Sequence, residues 1–428
     1  MNRLDISCRW LGHGTNATPE QAALADLTIR ANGSVLTESE DLFAMTIQEG
    51  ARLSAYHLAL WVASNWWRLR WEPWRDTADW KMSHCIAAAG GGYAWPDICF
   101  ASDGSLVLMT ARPLHSKEMP VRYLCASMES ISASEFEAGL TDFIERVLGR
   151  IESFTRDKDV LRTLWQDVQE ERQHPQQTAW RKLEALMGYD PDEVDETLMN
   201  ELQVLSQVYG IGSIEELAAY GAKQTPRVVE ELVARAGKTE KINIHKWDVI
   251  KKEMTNRNNA PPWQQAQEAA AAVRGAWGLS ATSPISNEAL ADLLSIRPES
   301  IESGEALKLP GLGVTSGSEK NTFALLLSKR LNTGRRFELA RLVGDSLNAD
   351  PADRLLPATQ LKTARQKFQR AFAQEMLCPY NALLAFLGGG AIDDEAIEEA
   401  AITYHVSPLL VKTTLVNHGL LQREELGI

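Results

Sequence analysis

Side chains that can bind a metal, move a proton or attack carbon are the first place to look for chemistry. The eight histidines are His13, His57, His84, His115, His174, His245, His405 and His418. None stands in the H-x-x-x-H or H-x-x-E-H spacing that sets two imidazoles on one helix face for a cation. The five cysteines, Cys8, Cys85, Cys99, Cys125 and Cys378, are odd in number, widely spaced and never in a C-x-x-C pair. Neither a disulfide framework nor a thiolate zinc knuckle is indicated. His84 and Cys85 adjoin, but sequence neighbours point apart on a helix or strand. His115, His84 and Cys99 converge only if the fold brings them together, which no spacing demands. Each histidine therefore reads as a satisfied structural side chain ahead of a ligand.

Two clusters suit binding rather than catalysis. Trp61, Trp66, Trp67, Trp71, Trp74 and Trp80 are interleaved with Arg68, Arg70 and Arg75, types that stack on bases or cage a cation. On one helix Trp67, Trp71 and Trp74 would share a face, a stripe that ordinarily means core or an interface anchor, and that plainer reading leads. Gly90-Gly91-Gly92 lacks the lysine and hydroxyl of a phosphate loop and reads as a tight bend before a strand. Lys329, Arg330, Arg335, Arg336 and Arg341 form one basic run, and Lys362, Arg365, Lys367 and Arg370 another. Together they would make one positive face, although solvated helix surface is the plainer reading. Trp67, Trp71, Trp74, Arg335, Arg336, Lys362, Arg365, Lys367 and Arg370 are the candidate partner-binding residues.

The elements that must position these residues fall into three regions. The chain has 428 residues, 44% hydrophobic and 24% charged, enough for two or three domains with sizeable cores. A net charge of −13 argues against a surface that wraps nucleic acid throughout. The start, MNRLDISCRW, has no apolar signal core, and no stretch approaches the roughly 20 apolar residues of a span. The expectation is a soluble cytoplasmic protein with no membrane partner and no cofactor.

Residues 1–130 read as a Trp-rich α+β domain. Thr18-Pro19-Glu20-Gln21 starts a helix, Asn32-Gly33 and Asp103-Gly104 turn two hairpins, and a helical pattern runs over 43–70. Residues 131–225 read as helical. Ser132 and Glu135 open a long helix whose apolar positions repeat from Phe136 to Phe154, and further amphipathic segments follow at 159–171, 178–188, 194–208 and 213–221. Residues 226–261, rich in Lys, Asn and Pro, read as a linker. From 262 to 428 the expectation is helices at 263–278 and after Ser286, a Gly/Ser-rich loop at 310–318, and a buried strand at 323–327. Helices then follow at 335–347, 358–377, 380–387, 393–404 and 408–417. No period of 20–50 residues repeats, which argues against a solenoid.

This third region resembles the ImmA/IrrE family of zincin-like metallopeptidases. PWQQAQEAAAAVRGAWGL and SNEALADLLSI are similar to its opening helices. FALLLSKRLNTGRRFELARLVGDSLN is similar to its strand, turn and active-site helix, RAFAQEMLCP to a later helix, and IEEAAITYHVSPLLVKTTLVNHGLL to its closing helix pair. The resemblance implies an α+β fold with a mainly helical C-terminal domain. It also implies zinc held by H-E-x-x-H plus a downstream Glu, with the motif Glu as general base. At those positions this chain has Arg341, Leu342 and Asp345, and Phe368 for the third ligand. A cation, a hydrocarbon and an aromatic ring cannot do that work, so the site is expected to be degenerate and metal-free. Arg341 and Asp345, at i,i+4, are expected to pair in the vacated place with Phe368 packed beside them.

The family cuts helix-turn-helix repressors in stress responses, mobile elements and toxin–antitoxin or phage-defence loci. Without zinc chemistry, the resemblance implies a pseudoenzyme of bacterial or phage origin. Such a protein would bind a protein partner as a regulator, an antitoxin-like neutraliser or a defence-complex subunit. Two alternatives stay open. One is a nucleic-acid-binding regulator using the basic helices and the helix-turn-helix-like pair from Ala396 to Val416. The other is an enzyme with its own site in the N-terminal domain.

Overall fold

The computed structural model of the chain describes residues 3–14, 17–116, 119–154, 159–244, 246–254, 260–316, 319–389 and 392–426. His245, residues 255–259 of the expected linker and residues 317–318 of the expected loop lie outside the described residues. The architecture is α+β, with small antiparallel sheets among many helices. The chain divides into two units, Met1–Met199 and Asn200–Ile428. Among the described residues no helix is long and apolar enough to cross a membrane.

In the first unit β1 (Leu4–Trp10) leads through α1 (Pro19–Ala22) to β2 (Leu24–Ala31), its antiparallel partner. Thr18 caps α1 in a reciprocal capping box with Gln21, and Pro19 sits in the first turn, the local chemistry of a helix start. Asn32 and Gly33, with φ of 51° and 91°, turn β2 into β3 (Ser34–Val35) as a two-residue hairpin requires. β4 (Ser39–Asp41), β5 (Thr46–Gln48) and β6 (Ala51–Ser54) follow, and β6 returns to β2. The helical pattern expected from residue 43 is therefore turn and strand as far as Ser54, and helix begins with α2 (Ala55–Ser64).

After α3 (Trp66–Trp71) the backbone turns extended at Glu72, as a residue before proline must. Pro73 thus puts Trp74 beyond the helix, off the face that carries Trp67 and Trp71. α4 (Ala78–His84) and the Gly90–Gly92 bend, all positive φ, lead to the β7 (Asp97–Ser102) and β8 (Leu106–Arg112) hairpin. Its turn is closed by Asp103 Oδ1, which accepts from the backbone N–H of Ser105 and Leu106. β9 (Val121–Tyr123) pairs with β4, and β10 (Ser127–Ser132) with β8. Ser132 then caps α5 (Ala133–Ile151), whose buried stripe runs from Phe136 to Ile151, one turn short of Phe154. α6 (Val160–Gln173) and α7 (Pro175–Met187) close this unit's core. The acidic run Asp190–Glu196 precedes α8 (Glu196–Tyr209), where carboxylates suit the helix dipole.

The second unit continues with α9 (Ile211–Gly221), α10 (Thr225–Ala236), β11 (Lys241–Asn243) and α11 (Trp247–Met254). The stretch 226–261, expected as a linker, thus holds helix and a strand that joins a sheet. α12 (Pro262–Ala276), α13 (Asn287–Leu294) with its Ser286 cap, and α14 (Glu299–Glu302) precede β12 (Gly311–Ser316) and β13 (Glu319–Leu326). Gly311–Ser316, expected as loop, is therefore strand. Then come α15 (Asn332–Asn348), β14 (Leu355–Ala358), α16 (Ala364–Leu377), α17 (Tyr380–Leu387), α18 (Asp394–Tyr404) and α19 (Pro408–Asn417). The helix expected from 358 begins only at Ala364.

The sheet order is β11-β13-β12-β14. α15 crosses α16 closely, since a Cβ on Gly344 would lie 2.6 Å from the Phe372 ring. Leu339, Leu342, Phe368 and Phe372 fill the core between these helices and the sheet.

Candidate functional site

The site built by the second unit centres on α15, α16 and β14. Asp345, on α15, is fully buried. Its partner is Arg365 of α16, whose Nε donates to Oδ1 at 2.9 Å and whose Nη2 donates to Oδ2 at 2.8 Å. Nη1 of the same guanidinium donates to Asp353 Oδ2 at 2.8 Å. This two-pronged geometry is the strong form of a charge-assisted bond. Burial opposes the Arg365 charge, but Asp345, Asp353 and Glu216 together raise its pKa above the ordinary value.

The expected Arg341–Asp345 pair is not formed. Arg341 is buried and its Nη2 donates to the Thr359 carbonyl at 2.6 Å and to Gln366 Oε1 at 2.5 Å, while its Nε has no hydrogen-bond partner. Burial pushes its pKa down to about 10, with help from Arg370. A short-range rule for isolated helices loses here to a bidentate partner that only the tertiary fold supplies. Leu342 and Phe368 are buried core side chains, and Phe368 stacks with Phe372.

α9 completes the network. Ser213 N–H donates to Asp353 Oδ1 at 3.1 Å. Ser213 Oγ donates to the Leu355 carbonyl at 2.7 Å and accepts from Leu355 N–H at 3.1 Å. Gln366 Nε2 donates to Glu216 Oε2 at 3.0 Å and to the Pro357 carbonyl at 2.8 Å, and Gln369 Nε2 donates to the same carbonyl. Burial pushes the Glu216 carboxyl up. β14 is the end strand of its sheet, and these side chains satisfy its outward backbone groups at Leu355 and Pro357. The open edge that would pair with an extended peptide is thereby used up.

Sequence reasoning missed Glu216, Gln366 and Glu338. Glu338 is 1% exposed and accepts from Ser328 N–H at 2.5 Å and Ser328 Oγ at 2.6 Å, tying α15 to the end of β13. No local spacing marks any of the three.

The basic candidates are mostly committed inside the fold. Arg336 is fully buried, donating to the carbonyls of His405 at 3.1 Å and Ile285 at 2.5 Å and to Asn287 Oδ1 at 2.7 Å. Arg335 donates to the Ser300 and Lys329 carbonyls, and Arg370 to the Leu361 carbonyl. With Arg365 on Asp345 and Arg341 on the Thr359 carbonyl, the expected positive face loses five of its arginines to internal acceptors. Lys362 is exposed and Lys367 half-buried. On α19 the lone lysine, Lys412, pairs with Asp394 of α18 at 2.7 Å.

In the first unit Trp67 is buried and its indole N–H donates to Glu171 Oε2 at 2.7 Å. Trp71 is half-buried under the Arg70 guanidinium, 3.7 Å from the ring centroid, and the Lys182 ammonium, 4.4 Å away. Trp74 is 38% exposed. The fold does bring Cys99 to His84, but as a disulfide between Cys99 and Cys85. That bridge corrects the reading of the cysteines. The segment after α4 lies antiparallel to β7 with Cys85 opposite Cys99, a register that sequence spacing does not encode.

His84 is fully buried and stacked on Trp80, with Nδ1 2.8 Å from the Trp80 carbonyl, and burial pushes it down to about 4. His115 stands apart from both, its Nδ1 3.3 Å from Arg122 Nε. The cluster offers neither a free thiol nor an exposed base.

Among the described residues no three His, Cys, Asp or Glu side chains form a group that would hold a metal ion. The arrangement in the second unit ties strands and helices together through charge and exposes no acid, base or nucleophile. No protein-family model, curated protein or solved structure matches this chain.

Proposed function

We propose that the chain is a non-catalytic, protein-binding regulator. Its C-terminal part is laid out like an ImmA/IrrE-type metallopeptidase, in a stress-response, toxin–antitoxin or phage-defence setting. The order of elements supports the layout. α12 and α13 open it, β13 turns into α15 where an active-site helix is expected, α16 ends just before Cys378-Pro379, and α18 and α19 close it. The observation that carries the non-catalytic reading is the Asp345–Arg365 pair. Of the four positions Arg341, Leu342, Asp345 and Phe368, only Asp345 has a metal-binding side chain. A guanidinium lies against both of its oxygens, so a cation already stands where a metal ion would have to approach. Zinc does not fit these residues.

Loss of the chemistry leaves binding as the function, and a protein partner suits an acidic chain whose C-terminal basic runs spend Arg335, Arg336, Arg341, Arg365 and Arg370 on internal acceptors. The nucleic-acid alternative would need a basic helix free to meet phosphate, whereas Lys412 on α19 is paired. The test is co-purification of the full chain from its native source, followed by size exclusion at rising salt. A protein complex that survives high salt is the expected result. Binding to duplex DNA that falls steeply with salt would overturn it. Elemental analysis after zinc incubation and desalting should find well under one zinc per chain, and a stoichiometric ion would sink the pseudoenzyme reading.

A further inference from the structure

α8 and α10 enclose a groove of about 700 Å³, whose lining, from Glu201 to Ala234, lies within the second unit. Its floor is apolar. Leu205 and Tyr209 come from α8, Val229 and Val233 from α10, each pair four residues apart and so on one helix face.

An apolar row runs beside the groove. Val204 and Val208 stand one position before Leu205 and Tyr209 and project from the neighbouring strip of α8. They are 58% and 46% exposed. Such an i, i+4 row is the ridge that packs into a groove on a facing helix pair. One surface thus carries an apolar slot and the kind of ridge that fills one.

Three charges rim the slot, Glu201, Arg227 and Glu230. All three are exposed, and none has an ion pair or side-chain hydrogen bond among the described residues. Elsewhere on α10, by contrast, Arg235 and Glu231 are bonded at 2.9 Å. An arginine and two carboxylates therefore surround the groove with no partner in their own chain.

We propose that a second copy of this chain covers this surface, the Val204–Val208 ridge of each copy entering the α8–α10 groove of the other. In a twofold pair every contact occurs twice, so both halves of each match must sit on one patch. Here ridge and slot adjoin, and Arg227 shares its rim with the carboxylates that a partner's Arg227 would meet. A foreign helix would require only the slot. α8 has 14 residues and α10 has 12, each roughly 20 Å long and 10 Å wide, a face suited to a reversible dimer rather than an obligate one. The proposal goes beyond the protein-binding reading and does not depend on it.

The test is sedimentation of the full chain at low salt, from about 1 to 100 µM. The mass should rise with concentration from one chain to two. Val204→Ala combined with Val208→Ala, both at exposed positions, should raise the dimer dissociation constant about tenfold or more, since each lost contact counts twice. Arg227→Glu, which gives the rim a single sign, should weaken the dimer by a similar factor. Reversing all three charges, with Glu201→Arg, Arg227→Glu and Glu230→Arg together, should restore association to within about threefold of wild type. A self-matched rim survives complete inversion, whereas a match to a foreign partner does not.

A chain that stays monomeric to about 100 µM, or a dimer indifferent to the valine pair or to Arg227→Glu, would overturn the proposal. So would a triple variant as weak as Arg227→Glu alone. A monomer whose native partner is lost on reversing the three charges would assign the groove to that partner, and the proposal would fail while the protein-binding reading stood.

Discussion

Asp345 keeps a buried charge because Arg365 lies against both of its oxygens, and that pairing has a measurable signature. Removing one member of a buried pair strands the other, at a cost of about 3–5 kcal/mol. Arg365→Met should therefore lower stability by that order in urea unfolding. A double-mutant cycle between positions 345 and 365 should return a coupling above about 1 kcal/mol, and one between 345 and 341 close to zero. A large 341–345 coupling would restore the i,i+4 pairing expected from the sequence.

Glu216 makes a second prediction. Burial raises its folded carboxyl pKa above the ordinary value, so the folded state favours the protonated form. That contribution is fully present below the unfolded pKa and is lost as pH rises through the raised one. The melting temperature of Glu216→Gln relative to wild type should thus climb between pH 4.5 and pH 8, and a flat difference would refute it. At this scale the sequence marked Arg341 and Asp345 as special but mispaired them. The winning partner, Arg365, lies on another helix and arrives only when α16 packs on α15.

β14 shows how an element can be closed to partners without a neighbouring strand. Ser213 both accepts from and donates to Leu355, so Ser213→Ala should strand a buried N–H and C=O and cost about 1–3 kcal/mol in thermal or urea unfolding. A change within about 0.3 kcal/mol would mean the edge is satisfied some other way. Gly210, with φ of 96° and space for a Cβ only 2.5 Å from Asp353 Oδ1, is what lets α9 start this close to β14. Elements announced by local chemistry were legible: the Thr18 and Ser132 caps, the Asn32-Gly33 and Asp103-Gly104 hairpins, and the α5 stripe. Short strands held by distant partners were not. β5, β6, β11 and β14 sit in segments whose own pattern reads as helix, loop or linker, because a three- or four-residue strand owes its existence to its neighbour.

Over the whole chain, the cysteines test the fold most directly. With Cys85 bonded to Cys99 and Cys8, Cys125 and Cys378 free, alkylation of denatured, unreduced protein should label three thiols, and five after reduction. Five in the unreduced sample would refute the bridge. A disulfide is characteristic of oxidising surroundings, which pulls against the cytoplasmic expectation, so the thiol count bears on the compartment as well as on the fold. The sequence placed the partner surface on Trp67, Trp71 and Trp74 and on the basic helices of the C-terminal part, whereas Trp67 is buried and the arginines of those helices are largely held by internal acceptors.

Taken by itself, the sequence determined the α+β class, the caps, turns and long amphipathic helices, and the acidic balance. Each of these depends on residue type or on spacings of a few residues, where backbone geometry and side-chain chemistry act directly. Tertiary structure alone decided that Asp345 answers to Arg365, that Cys85 meets Cys99, that Ser213 covers β14, and that Ile47 stays in water. The pairings among these join residues 14 to 142 apart in the chain. They form when burial brings the segments together, and charge, hydrogen bonding and register then select partners that no short window of sequence contains.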